Sequence, residues 1–156
     1  MRFSLIYVSD KPSQWAEQAY TNYAKRIPAQ FKFAACRISP NKRNKTCSME
    51  AMRDEEWSRI NEKLNKGALL VLLDERGEKL DSKAFAGKIN VWQEASKDVD
   101  FIIAGADGVN ASVRENVDFM LSLSSFTFPH ELARVVLIEQ LYRAWTILNN
   151  HPYHRV

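Results

Sequence analysis

Short apolar runs alternate along the chain with longer stretches of mixed polarity. "RFSLIYV" has the length and composition of a strand, and Pro12 and Pro28 bracket a helical stretch from about Ser13 to Ile27. "FKFAACRI" predicts a second strand. After a polar loop, Ser48 is placed to cap a helix running to Lys66, and Gly67 stands where a helix C-terminus favours glycine. "ALLVLL" follows without interruption, as expected of a strand buried on both faces of a parallel sheet. Ser82 opens a helix to about Lys97, and "VDFIIA" is a fourth strand. "GADGVN" reads as a turn, Ala111 to Val117 as a short helix and "FMLSLS" as a fifth strand; a helix from about Glu131 to Leu148 comes last.

Five alternations of strand and helix predict an α/β fold with a mainly parallel sheet flanked by helices. The length of 156 residues suits a single domain, 1–156, and neither a repeat nor a composition break divides it. In the last helix the apolar positions, from Leu132 to Leu148, cover more than one face. A helix packed only on its own sheet needs a stripe about 100° wide. The excess is either internal burial in a thick fold or, as so small a domain favours, a second partner surface, hence a homodimer.

Composition narrows the class. With 46% hydrophobic and 26% charged residues the chain is an ordinary folded protein rather than a disordered one. Cys36 and Cys47 form no CxxC pair and no zinc set; two thiols fit a reducing cytosol, with a single disulfide as the alternative. No run approaches a membrane span and the N-terminus does not read as a signal peptide, so a cytoplasmic location is expected. The net charge of +3 is unevenly spread: Lys25 to Lys45 holds seven basic residues and no acidic one. Such a run is either a solvated surface or a footprint for a polyanion. The loop "SPNKRNKTCS", with Lys42, Arg43 and Lys45 and no carboxylate to pair them, favours the polyanion footprint.

Several chemistries are excluded by motif. GxGxxG, the GxxxxGK[ST] phosphate loop, GxSxG and HExxH are all missing. His151 and His154 have no acidic or thiol ligand near them in sequence, so no metal is expected. Three strand-end segments remain: "LLDERGE", "AGADG" and "SSFTFPH". They stand where α/β sheets bind ligands, beyond the carboxyl ends of strands. Leu72, Leu73, Phe126 and Phe128 offer apolar walls, and the loop backbones offer donors and acceptors. That combination suits a purine ring better than a phosphate chain; taken singly, each loop could also be an ordinary turn.

The stretch "SLSSFTFPHELARVVLIEQLYRAWTILNNHPYHRV" resembles the C-terminal signature of the ribosomal RNA large subunit methyltransferase H family. These are small SPOUT-class enzymes that methylate N3 of a pseudouridine in 23S rRNA. The resemblance covers essentially the whole chain, including the "KRNK" loop, the "LLDERG" turn and the end at "PYHRV". It implies S-adenosylmethionine as cofactor, a homodimer, and a C-terminal trefoil knot that forms the cofactor pocket; with no separate RNA-binding domain, so small an enzyme is expected to act on 23S rRNA within the ribosome. Matched by motif, the cofactor-binding positions are Leu73, Asp74, Gly105, Ser124, Ser125, Phe126, Thr127, Phe128 and Pro129.

One loop departs from the family pattern. Where members usually read close to "GGPEG" this chain has "AGADG", so Ala104 replaces a glycine and Ala106-Asp107 replaces Pro-Glu. Because "DFIIA" reads as continuing strand, no left-handed backbone is expected at Ala104. The rival readings are a SPOUT-class enzyme acting on another RNA such as tRNA, and a non-catalytic dimeric ribosome-binding factor.

The resemblance gives the last residues, "NHPYHRV", a role. Methyl transfer to an imide nitrogen requires its proton to leave. Tyr153 can stack on the base, His154 can accept the proton near neutral pH, and Arg155 can grip phosphate or the developing anion. Arg143 is a further candidate for base or RNA contact, or an ordinary partner of Glu139 four residues before it. The tail is expected to be flexible until RNA binds, the tail of one subunit closing over the cofactor of the other. His130 is expected to begin the last helix rather than to do chemistry.

Overall fold

The computed structural model describes residues 1–31, 33–42 and 46–155. Five parallel strands make one sheet: β1 (Phe3–Val8), β2 (Phe33–Ile38), β3 (Leu69–Lys79), β4 (Val99–Ile103) and β5 (Phe119–Ser122), in the order β2-β1-β4-β3-β5. Between and after them run α1 (Gln14–Ala24), α2 (Met49–Asn61), α3 (Ser82–Glu94), α4 (Ala111–Asn116) and α5 (His130–Leu148).

Side chains of a strand alternate between the two faces of its sheet, and this sorts the core into two layers. Phe3, Leu5 and Tyr7 of β1, with Val99, Phe101 and Ile103 of β4, pack against α1, α3 and α5 through Tyr20, Phe85, Ile89, Leu137 and Leu141. Ile6, Val8, Leu72, Ile102 and Ala104 face the other way, onto Ile60 of α2 and Val113 of α4. The inner strands are apolar at nearly every position because neither face meets water. The exception in β4, Asp100, is fully buried. It accepts hydrogen bonds from the Asn65 backbone N–H and from Asn65 Nδ2, both at 2.7 Å.

The helix caps follow the sequence. Ser48 Oγ accepts the Ala51 N–H at 3.1 Å, and Asp81 Oδ1 accepts the Ala84 N–H at 2.7 Å. Gly67 takes the left-handed φ of +80° in the turn before β3. Helices end earlier than the periodicity suggests, α2 at Asn61 and α3 at Glu94.

The third strand differs from its expected form. "LLDERGE" is not a plain strand-end loop: β3 runs on to Lys79, and both Leu73 and Glu78 register with Leu121 of β5. The chain bulges out at Asp74–Gly77 and returns to the same partner strand. A Cβ on Gly77 would lie 2.7 Å from backbone atoms of Leu121 and Met120, so the return is possible only without a side chain there.

On α5 sits a charge that the sequence pattern does not explain. Arg134 is 2% exposed, with its guanidinium over the rings of Tyr7 (4.7 Å) and Tyr20 (4.5 Å). It donates to Tyr7 Oη at 3.1 Å and pairs with Glu17 at 3.0 Å. One turn earlier, Glu131 accepts the Ser13 N–H (2.6 Å) and hydroxyl (3.0 Å), which ties the start of α1 to α5.

Two glycine substitutions should move stability in opposite directions. Gly77→Ala must displace backbone and is expected to cost about 1–3 kcal/mol. Gly87→Ala, in an exposed and open position on α3, should stabilise by about 0.5–1 kcal/mol. Denaturant midpoints of the two variants check both signs.

Candidate functional site

A parallel sheet brings all its strand ends of one kind to one edge. At the carboxyl edge, β3, β4 and β5 open into a cleft of about 480 Å³. One wall is apolar, from Leu72, Leu73, Leu121, Phe126 and Phe128; the excursion Asp74–Arg76 and the loop 104–108 close the sides. Of the nine positions matched to the cofactor, Leu73, Asp74, Gly105, Ser124, Phe126, Thr127 and Phe128 line this cleft. Ser125 is exposed in the same loop, and Pro129 serves as the N-cap of α5; neither lines the cleft.

Each loop has a local reason for its shape. Asp74 Oδ1 accepts the Arg76 N–H at 2.8 Å, a turn that folds the β3 excursion back on itself. Ser124 Oγ accepts the Phe126 N–H at 2.9 Å, and the Ser124 carbonyl accepts the Ser122 hydroxyl. Those bonds hold the Phe126 ring out, 81% exposed, at the rim. Ala104 is buried and is not among the positive-φ residues, so its replacement of glycine brings no backbone strain.

Three residues at or behind the cleft were not singled out by sequence. Arg53 of α2 and Arg114 of α4 both line it, and each is aimed by a bond to a loop carbonyl: Arg53 Nε to Asp107 and Arg114 Nη1 to Val109, both at 2.7 Å. Glu56 of α2 stands behind the loop and accepts the Gly105 N–H at 2.9 Å. Only the unusual small residue at 105 hints at them, because nothing in the pattern of α2 says which loop it meets. His130 begins α5, as expected, but also lines the cleft.

The C-terminal residues lie elsewhere in the same chain. Rather than hanging free, residues 151–155 fold back on the far half of α5. Tyr153 packs tilted against Tyr142, with ring centroids 4.7 Å apart, and donates its hydroxyl to Glu139 Oε1 at 2.9 Å. Arg143 donates to the same oxygen through Nε (3.0 Å) and Nη2 (2.6 Å), and its guanidinium lies 5.1 Å from the Tyr153 ring centroid. The expected Glu139–Arg143 pair is therefore present, and it also fastens the tail. The hydrogen bond from Arg143 to Glu139 raises the arginine's pKa further, so its charge is permanent.

His154 Nδ1 lies 3.2 Å from Thr146 Oγ1. The Thr146 hydroxyl has one proton and gives it to the Arg143 carbonyl at 2.7 Å. Its oxygen can then only accept, so the proton of neutral His154 belongs on Nδ1 and the lone pair on Nε2. His151 packs on Trp145 with centroids 5.5 Å apart, an aromatic contact that anchors the turn. Among the described residues, no group of three or more His, Cys, Asp or Glu is gathered for a metal.

From Ala133, at the cleft, to Thr146, at the tail, α5 rises about 20 Å. The tail therefore does not reach the cleft of its own chain. Of the basic positions, Lys42 and Arg155 are exposed, while Arg43 and Lys45 lie outside the described residues. Arg26 and Arg37 of the basic run are engaged internally, on the rings of Tyr23 and Tyr142 and on the Ser9 carbonyl. No helix among the described residues is long and apolar enough to cross a membrane.

Residues 1–154 match the family model described as "Predicted SPOUT methyltransferase". Curated relatives are similar over the full length of both chains. A ribosomal RNA large subunit methyltransferase H from Janthinobacterium sp. (strain Marseille) is 42% identical over 156 residues, 100% of each chain. Its counterpart from Paraburkholderia xenovorans (strain LB400) is 40% identical, with the same coverage. Among solved structures, a "probable methylase family protein" from Haemophilus influenzae Rd KW20 shares the fold with a TM-score of 0.58 at 12% identity. That match covers 97% of this chain and 67% of the other.

The tail anchor has a pH signature. Burial, the hydrogen bond to Glu139 and that carboxylate's charge push the Tyr153 phenol up to about 12 from its ordinary 10.0. The unfolded chain releases this proton first, so the tyrosine's contribution to stability is complete below pH 10 and is lost as pH rises toward 12. A difference ultraviolet titration of the protein against Tyr153→Phe should show one phenol ionising near pH 12, and Glu139→Gln should lower it.

Proposed function

Because the chain belongs to the ribosomal RNA large subunit methyltransferase H family of SPOUT methyltransferases, we propose that it methylates N3 of a pseudouridine in 23S rRNA, using S-adenosylmethionine. The cleft at the carboxyl ends of β3, β4 and β5 carries this reading. Its 480 Å³ lies in the range of small-molecule sites, and it joins an apolar wall to a few fixed polar groups, as an adenosine moiety requires. Leu73, Phe126 and Phe128 would hold the purine, with Asp74, Thr127 and the backbone around Gly105 and Ser124 giving polar contacts. The donor, when bound, supplies a methyl group on a sulfonium centre. The trefoil knot that the family implies would belong to the same region.

The chain's own residues then have to hold the acceptor base and remove a proton from its imide nitrogen. Tyr153 offers an aromatic face, and Arg143 and Arg155 offer charge for phosphate or for the anion that forms. His154, with Nδ1–H turned to Thr146, presents Nε2 as the base. With about 20 Å along α5 between them and their own cleft, these groups would serve the cleft of a second copy. A homodimer would also cover Leu132, Val135 and Val136, which are only half-buried on α5, and Trp15, which is exposed on α1. Activity on ribosomal RNA would put the protein in the cytoplasm. The basic segment with Lys42, Arg43 and Lys45 would meet the RNA backbone, and an assembled ribosome gives so small an enzyme a preformed surface to recognise.

Methyl-labelled S-adenosylmethionine, offered with ribosomes, free 23S rRNA or tRNA, tests the reading. Label is expected in 23S rRNA of the assembled particle. Label in tRNA would move the substrate, and failure to bind the donor would make the protein a binding factor. His154→Ala should lower methyl transfer at least tenfold with donor affinity nearly intact. Mixing it with Gly105→Leu, whose side chain would collide with Glu56 and distort the 104–108 wall of its own cleft, should restore activity that neither variant has alone. No restoration would show that tail and cleft act within one chain. Charge reversal at Lys42, Arg43 and Lys45 should weaken RNA binding and flatten its salt dependence.

A further inference from the structure

Helix α2 touches the 104–110 segment at three successive places. Glu56 accepts the Gly105 N–H at 2.9 Å, Arg53 Nε donates to the Asp107 carbonyl at 2.7 Å, and Asn110 Nδ2 donates to Asp54 Oδ1 at 2.7 Å. The Glu56 contact is the tightest in shape. A Cβ on Gly105 would lie 2.7 Å from both carboxylate oxygens, so the missing side chain at 105 is what admits Glu56. Glu56 itself does not line the cleft; the residues it fixes, Gly105 and its neighbours, do. The Gly105 N–H is spent on Glu56, and its carbonyl accepts the Gly108 N–H at 3.0 Å. Gly105 therefore contributes the position of the loop wall more than a free donor. The other side of α2 is tied to the start of the basic segment: Asn41 Nδ2 donates to the Met52 carbonyl at 2.9 Å and Arg59 Nη1 to the Ser39 carbonyl at 2.7 Å.

We propose that Glu56 is a positioning residue for methyl-donor binding: its carboxylate, by holding the Gly105 N–H, fixes the 104–108 wall of the cleft in the shape that the donor fits. This rests on the reading of the cleft as the donor site. Removing the acceptor frees the wall to move and leaves a buried N–H without a partner. The loss falls on donor binding, not on the tail that handles the acceptor base.

Calorimetry with S-adenosylhomocysteine, the demethylated form of the donor, measures this without turnover. Glu56→Ala should bind it at least tenfold more weakly than the unaltered protein. Glu56→Gln, which keeps shape and an acceptor oxygen, should stay within threefold. In turnover, Glu56→Ala should raise the KM for S-adenosylmethionine at least tenfold, with kcat at saturation within threefold and the KM for RNA unchanged. If Glu56→Ala does not fold, Glu56→Asp, one methylene shorter, should show the same weakening. Equal affinity in Glu56→Ala, or in the Asp variant where only that folds, overturns the proposal, as does a Gln variant as weak as Ala. Unaltered protein that binds no S-adenosylhomocysteine overturns the reading of the cleft itself, a separate and recognisable failure.

Discussion

The double pairing of β3 with β5 is the constraint on which the rest of the structure depends. Leu73 and Glu78 both register with Leu121, so the four residues between them must leave the sheet and come back. What leaves the sheet, Asp74 to Gly77, becomes one side of the cleft; what returns pins β5 and aims the Ser124–Phe128 loop across from it. Gly77 makes this possible because any side chain there would meet the backbone of β5. An ordinary strand end would leave a shallow groove. Here one strand supplies both the sheet pairing and a cleft wall.

Helix α5 is the second organising element, and its two ends do different work. The first turn, at His130 and Ala133, closes the cleft. The last turns carry Arg143, Thr146 and the folded tail. Between them, Arg134 lies under the rings of Tyr7 and Tyr20 and pairs with Glu17, while Glu131 holds the start of α1. A guanidinium is tolerated at this depth because aromatic faces and a partly solvated carboxylate share its charge. Burial pushes both phenols up, so they stay neutral and keep their role as ring surfaces and hydroxyls. The α1–α5 pair is thus stiff, and a stiff helix keeps its two ends a fixed distance apart. That rigidity is why cleft and tail in one chain do not meet.

The layout was readable from the sequence where local physics decides it. Doubly buried strands showed as apolar runs, and Ser48 marked the start of α2 through cap chemistry; Gly67 marked the turn before β3, not the end of α2, which comes at Asn61. The α/β class followed from alternation alone. The positions matched to the cofactor came from the resemblance, and seven of the nine line one cleft; their role as ligands is part of the proposed function. What the chain did not announce was long-range. The return of β3 depends on a partner strand 48 residues away, from Leu73 to Leu121. Arg53 and Glu56 look like any two charges on a helix until α2 is placed beside the 104–108 loop. Arg134 interrupts an apolar helix for a reason that lies on β1 and α1. The tail, expected to be loose, is docked by Glu139 and Tyr142, two residues whose separate roles on α5 gave no sign of a shared partner.

The departure from the family pattern at "AGADG" can be weighed on the same grounds. Proline in that loop would fix one backbone angle and so limit the shapes the loop can take. With Ala106 that restriction is gone, yet the loop is held from outside: Glu56 on the Gly105 N–H, Arg53 on the Asp107 carbonyl, and a turn closed from Gly108 to Gly105. Ala104, just past the end of β4, costs nothing, because its φ is not positive and its methyl fills the layer under α2. Each of these bonds is individually modest, about 1 kcal/mol net. Together they constrain three residues in a row, which is more than one proline does. The stiffness of the cleft wall in this chain therefore comes from side chains on a neighbouring helix rather than from a covalent ring within the loop.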